Sequence, residues 1–331
     1  MLLPYVQATT ILTPVVCFVS LCHSGPVSLP AAWSFPADWR SRITDDAFQY
    51  SLEKAKETTE SAFFEGDIKG VDKVAERDRD GFYVSRNAIV DKSMRWKDGI
   101  VPYEISSVFT APQKRLIEDA LRDIMAKTCV RFVVRRSEPD YISFVNRGMG
   151  CSSYVARTGG QQTVDLMPGC LTYIGEPQHE VMHALGFFHE QSRTDRDQYV
   201  TIVWNNLVAG AADQFKVYRT DNLDMPYDYA SIMHYGWNYF AKDRDMPSII
   251  PKTTAKVALG TRKVMSPIDA EKINRLYEYN GSDNSHDDNE NNYDNNGREK
   301  TSVRDTTFVE CSTARDPAVM EQWLNKKQLK C

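Results

Sequence analysis

No stretch of this sequence carries the 18 or so consecutive apolar residues that a membrane-spanning helix needs, so no bilayer span is expected. A basic excess is also missing. The 40 Lys and Arg stand against 45 Asp and Glu, for a formal charge of -5, which removes the electrostatic footprint of a nucleic-acid binder. Cysteine is sparse, at seven in 331 residues, and the spacing is not that of a zinc-binding cysteine cluster. The hydrophobic fraction, 42%, is ordinary for a globular chain of one large or two modest domains. The apolar run from Ile11 to Leu21 is broken only by Thr13, Pro14 and Ser20 and is followed by small residues. Residues 1–24 are therefore read as a secretory signal, although its start has no Lys or Arg, and the protein is expected to be secreted and extracellular. Cys17 and Cys22 would leave with it. Cys129, Cys151, Cys170, Cys311 and Cys331 then remain, an odd number for an oxidising compartment.

Chemistry concentrates in residues 179–190, His-Glu-Val-Met-His-Ala-Leu-Gly-Phe-Phe-His-Glu. On a helix His179 and His183 lie within roughly 40° of each other and can share a cation, with Glu180 beside them as a base for a bound water. On a continued helix His189 would point roughly 240° away from His183. Gly186 stands between them, and glycine lets a helix end in the left-handed conformation. A reversal there brings His189 back as a third ligand. Three imidazoles and an open position make a catalytic zinc site, whereas a structural zinc is normally closed by four ligands.

This motif, continued by Arg193 and Asp195-Arg196-Asp197, resembles the metzincin signature in its astacin form. The run Ser231-Ile232-Met233-His234-Tyr235 is similar to the astacin Met-turn, and the likeness extends from about Asn87 to Tyr279. It implies a zinc metalloendopeptidase with one zinc ion per chain and an α+β, two-lobed zincin fold. In that fold a twisted mixed sheet and the active-site helix lie above the cleft, and a largely irregular C-terminal lobe with a terminal helix lies below. Met233 is expected as an apolar floor under the histidines, since thioethers suit softer metals. By itself Tyr235 reads as a buried aromatic with a satisfied hydroxyl. The resemblance makes it a fifth zinc ligand that moves aside and donates to the oxyanion.

Residues 25–86 are polar, and Phe64-Glu65-Gly66-Asp67 within them reads alone as a Gly-Asp turn. By resemblance it is the pro-peptide motif whose aspartate, Asp67, coordinates the zinc and keeps the zymogen latent. A trypsin-like protease would cut after Arg86 to start the mature chain at Asn87. The resemblance then buries that new terminus against Glu190, a residue that alone reads as a surface carboxylate. It also implies a Cys151–Cys170 disulfide closing the glycine-rich stretch 148–170. Arg262 lies where several members place a basic residue in the pocket for the residue after the scissile bond. There it would favour an acidic side chain; alone it reads as a solvated loop arginine. The family's cysteine at the end of the last catalytic helix is replaced by Glu278-Tyr279-Asn280. Cys129 is thus either buried and unpaired, or bonded to Cys311 or Cys331.

Periodicity places helices at Asp45–Ala62 and Thr110–Thr128, a short one near Asn206–Phe215, and a last one running from Ser266-Pro267 to Tyr279. Strands are expected at Ile100–Ile105, Val130–Val134, Tyr141–Val145 and Thr163–Leu166. The catalytic domain is placed at 87–280, followed by an Asp/Asn-rich disordered linker and tail, 281–331, with a weak helix at Ala318–Leu324. Asn280-Gly281-Ser282 is a glycosylation sequon. The expected partners are protein or peptide substrates and the activating protease. Against this stands a catalytically inert extracellular binding protein that retains the fold, and intact Glu180 and Tyr235 count against it.

Overall fold

The computed structural model describes residues 35–54, 63–70, 92–218 and 221–278. The expected signal, the boundary at Arg86 and Asn87, the sequon at Asn280 and the 281–331 tail with Cys311 and Cys331 lie outside the described residues. In chain order the elements are α1 (Asp45–Lys54), β1 (Ile68–Lys69), β2 (Ile100–Ile105), α2 (Ala111–Lys127), β3 (Arg131–Val134), β4 (Tyr141–Val145) and β5 (Ser153–Tyr154). They continue with β6 (Gln161–Asp165), α3 (Gly175–Leu185), β7 (Val200–Ile202), β8 (Ile249–Pro251) and α4 (Pro267–Glu278).

The helix α2 forms where the spacing predicts it. Thr110 and Gln113 close a capping box, the Thr110 N–H donating to Gln113 Oε1 at 2.9 Å, and Pro112 occupies the first turn, where no N–H is missed. Its apolar stripe of Ile117, Ala120, Leu121 and Ile124 is buried. It packs with α3 and α4 on the sheet, and the shared core takes in Val101, Phe132, Ile142, Phe144, Val164, Val181 and Ile273. Four strands lie in the order β3-β2-β4-β6, all parallel. Tyr103 pairs with both Val134 and Ile142, so β4 begins level with the end of β3 and the short 135–140 connection suffices.

The sheet is mixed only at its edge. Ser152 and Asp165 form an antiparallel bridge, which attaches β5 outside β6 and closes the hairpin. The strand expected at Thr163–Leu166 is Gln161–Asp165, because its pairing with β4 begins at Gln161↔Tyr141. The Cys151–Cys170 disulfide is present, with Cα atoms 6.0 Å apart. Closing a loop of that length stabilises the fold by about 3 kcal/mol in the chain-entropy account.

Below the sheet the chain is largely irregular, with only the antiparallel pair β7–β8. The single helix expected over Asn206–Phe215 is instead two 3-10 turns, Trp204–Asn206 and Ala211–Phe215. Gly210 sits between them at φ +84°, a left-handed residue that a continuous helix does not admit. Helix α1 is confirmed over Asp45–Lys54, and its extension to Ala62 lies outside the described residues. It docks through Phe48 stacked on Trp237, ring centroids 4.5 Å apart, and through the buried Lys54–Glu176 ion pair at 2.7 Å. Half-buried Cys129 anchors its N–H to Asn274 on α4, at 2.8 Å. Any bond to Cys311 or Cys331 involves residues outside those described.

Candidate metal centre

Helix α3 is buried from Gly175 to Leu185. It starts against the 262–264 segment so closely that a Cβ on Gly175 would lie 2.5 Å from the Arg262 carbonyl oxygen, so glycine is the residue that permits the packing. The helix stops as the sequence predicts. Gly186 takes φ +116° and ψ 18°, and the Phe187 N–H bonds back to the Met182 carbonyl at 3.1 Å, a Schellman-type closure. The chain then turns into a 3-10 turn, Glu190–Ser192, with His189 delivered to the face that holds His179 and His183.

In each imidazole Nδ1 is held by a carbonyl or carboxylate. His179 Nδ1 donates to the Ile232 carbonyl at 2.7 Å, His183 Nδ1 to the Phe187 carbonyl at 2.7 Å, and His189 Nδ1 to Glu65 Oε2 at 2.9 Å. That choice of tautomer leaves all three Nε2 atoms as lone-pair donors on one point, the arrangement that second-shell partners enforce at zinc. The point is occupied by Asp67. Its Oδ2 lies 3.0 Å from His179 Nε2, and its Oδ1 lies 3.4 Å from His183 Nε2 and 3.2 Å from His189 Nε2. One ligand atom from each of the four buried residues falls within 4.8 Å of the others. Three neutral nitrogens and one carboxylate oxygen form a donor set that suits zinc.

Glu180 stands next in sequence to the first histidine, buried, and its Oε2 makes no hydrogen bond among the described residues. Burial, with the Asp67 carboxylate beside it, pushes its carboxyl well above the usual carboxylate range. Asp67 goes the other way: burial opposes its charge, but the imidazoles around it hold its carboxyl well below that range. Tyr235 is buried, its ring 4.7 Å from that of His189, and its hydroxyl donates to the Glu65 carbonyl at 2.6 Å. The hydroxyl is thus engaged by the 64–67 turn. Met233 is buried in the core and its carbonyl accepts from the Glu190 N–H at 3.0 Å.

Two residues differ from what they suggest in isolation. Glu190 is no surface carboxylate: it is buried, salt-bridged to Arg193 at 3.0 Å and to Lys272, and accepts the Asp228 N–H at 2.9 Å. Arg262 is no solvated loop arginine. Its side chain is 13% exposed and its Nη1 lies 3.3 Å from Asp67 Oδ2. Sequence reasoning missed Glu65. It is buried, held at φ +44°, and adds a hydrogen bond from the Ser192 hydroxyl to the one from His189. The available signal was its position inside the Phe64–Asp67 motif, where only the aspartate drew attention.

Asp269, in the first turn of α4, has a task beyond the helix start. Ser266 Oγ caps α4 by accepting the Asp269 N–H at 2.9 Å, while the Asp269 carboxylate accepts from Ser231 Oγ at 2.6 Å and the Ile232 N–H at 3.0 Å. The last helix thus fixes the turn whose Ile232 carbonyl orients His179.

Residues 88–278 match the family model described as Astacin, a peptidase family. Zinc metalloproteinase nas-4 of Caenorhabditis elegans is 43% identical over 199 residues, covering 59% of this chain and 62% of that protein. High choriolytic enzyme 1 of Oryzias latipes is 44% identical over 200 residues, covering 58% of this chain and 74% of that protein. The solved structure of that hatching enzyme zinc-protease superposes with a TM-score of 0.55 at 43% identity, covering 58% of this chain and 99% of it. The chain accordingly spans under two thirds of the first relative's length and about three quarters of the second's. With the histidine triad in place and the matched model running through both lobes, the chain belongs to the astacin family of zinc peptidases.

Proposed function

We propose that this protein is the secreted zymogen of a zinc endopeptidase that cleaves peptide bonds of extracellular proteins. The observation that carries the reading is the convergence of three Nε2 atoms on one carboxylate oxygen pair, beside a buried glutamate whose Oε2 makes no hydrogen bond among the described residues. His179, His183 and His189 would hold one zinc ion, with Asp67 as the fourth ligand while the pro-segment is attached. Bound there, zinc supplies Lewis acidity toward the scissile carbonyl and toward the attacking water.

The chain's own residues do the rest. Glu180 accepts the water proton and returns it to the leaving amine, a role that suits a carboxyl that burial pushes well above the usual carboxylate range. Tyr235, released from the Glu65 carbonyl when the pro-segment leaves, donates to the developing oxyanion. Arg262 already holds a carboxylate in the cleft, which supports a preference for Asp or Glu just after the scissile bond. Cleavage after Arg86 would free Asn87 to reach Glu190, which is already screened by Arg193 and Lys272. Glycosylation at Asn280 belongs to the same secreted reading.

The test is to treat the precursor with trypsin and follow casein hydrolysis with and without o-phenanthroline. Activity that appears on cleavage, vanishes with the chelator and is absent from Glu180→Ala at unchanged zinc content is expected. A cleaved, zinc-loaded chain that hydrolyses nothing would instead favour the inert binding protein.

A further inference from the structure

The pro-segment touches the cleft at a second point that the zinc reading does not use. Strand β1 runs beside β5, Ile68 opposite Ser153 and Lys69 opposite Tyr154, and the Ser153 N–H donates to the Asp67 carbonyl at 3.0 Å. Alternate residues of an extended segment face the same way. With Asp67 at the histidines, Lys69 comes next on that face. Its ammonium is buried against the sheet edge, where it pairs with Asp165 Oδ2 and donates to the Thr163 carbonyl and hydroxyl, both at 3.1 Å. The Tyr154 ring lies 5.6 Å away, within cation–π reach.

Asp165 itself is fully buried. Its other oxygen, Oδ1, makes no hydrogen bond among the described residues, and Arg147 Nε lies 3.7 Å from it, on a side chain that is half exposed. Removal of the pro-segment takes Lys69 away and leaves a carboxylate, a carbonyl and a hydroxyl arranged around a vacated ammonium position. A buried charge left without its partner is costly, so the site favours a replacement cation. Any peptide that adds to the exposed edge of β5, as extended substrates do on sheet edges, brings one side chain to that position.

We propose that Asp165, with the Thr163 carbonyl and hydroxyl, is a subsite for a lysine or arginine side chain of the peptide substrate, which Lys69 fills in the uncleaved chain. The inference rests on the endopeptidase reading above and on loss of the segment that carries Lys69. It adds a basic requirement on one residue of the substrate to the acidic one assigned to Arg262. The two pockets together select a peptide with opposite charges on nearby residues.

The test uses the trypsin-activated enzyme and peptide libraries randomised on both sides of the cleaved bond. The expected result is enrichment of Lys and Arg at a single position, by about 10- to 100-fold in kcat/KM over Met, the range of a charge-assisted hydrogen bond. The enrichment collapses in Asp165→Asn. A variant precursor that fails to fold is bypassed with the wild-type enzyme, inhibited by the synthetic 63–70 peptide and by the same peptide carrying Lys69→Met. The lysine form should inhibit at least about tenfold better. Equal inhibition, or hydrolysis without basic enrichment, overturns this proposal alone. An activated chain that cleaves no peptide overturns the endopeptidase reading with it.

Discussion

In the proposed zymogen, latency rests on more than the aspartate at the histidines, and Glu65→Ala measures the remainder. Glu65 is buried, with one carboxylate oxygen on His189 Nδ1 at 2.9 Å and the other on the Ser192 hydroxyl. Hydrogen bonds to a charged group contribute about 1.5–3 kcal/mol each, so two lost bonds would cost about 3–6 kcal/mol. Part of this is offset because alanine no longer buries a carboxylate, and because both residues bear the same left-handed strain. A net loss of about 2–3 kcal/mol in closing the pro-segment over the cleft corresponds to an open fraction raised about 30- to 150-fold. The assay is the rate of a quenched fluorescent peptide with intact precursor, trypsin-type activation being blocked by Arg86→Gln. Basal activity should rise by that factor while remaining below that of the mature enzyme. After excision of the pro-segment from matched precursors that keep Arg86, the two enzymes must be identical, since residue 65 is gone. Unchanged basal activity, or a difference that persists after excision, refutes the clamp.

Other expectations follow from the same geometry. Asp67→Ala should raise precursor activity further than Glu65→Ala, because it removes a fourth ligand and the Arg262 ion pair together; a precursor as silent as the wild type would refute it. Gly186→Ala forces an L-residue to φ +116° and should cost at least about 1–2 kcal/mol, lowering the melting temperature by a few degrees and weakening zinc retention; unaltered values for both would show that the reversal does not need glycine. His234 is buried, accepts from the Tyr227 hydroxyl at 2.6 Å, donates to the Tyr235 carbonyl at 2.7 Å, and its pKa is lowered to about 4 by burial. Its folded pKa lies below the unfolded value of about 6.5, so it contributes stability above pH 6.5 that is lost as pH falls toward 4, about 3 kcal/mol in all. An imidazole resonance of His234 titrating near pH 6.5 in the folded protein would contradict this.

The segments legible in the sequence are those whose information is local. The apolar spacing that sets α2 and the glycine after Leu185 each act within a turn or two of chain, and each reads the same way in the structure. The zinc triad was legible for the same reason, because His179, His183 and the reversal at Gly186 lie in one short stretch. The extra break at Gly210 was local too, but the apolar spacing around it concealed a glycine at positive φ.

Pairings between distant segments were out of reach. Glu65 with His189 and Lys69 with Asp165 join residues that no periodicity relates, and Glu190 and Arg262 look like surface charges until the chain folds over them. A one-dimensional pattern records which side chains repeat on a face, whereas burial of a charge depends on which other segment covers it. The sequence by itself determined the three-histidine cluster, the glutamate beside it and the helix end that unites them. Only the tertiary structure decided which carbonyls and which carboxylate orient the histidines, which cations neutralise the buried acids, and how the 65–69 segment lies against them.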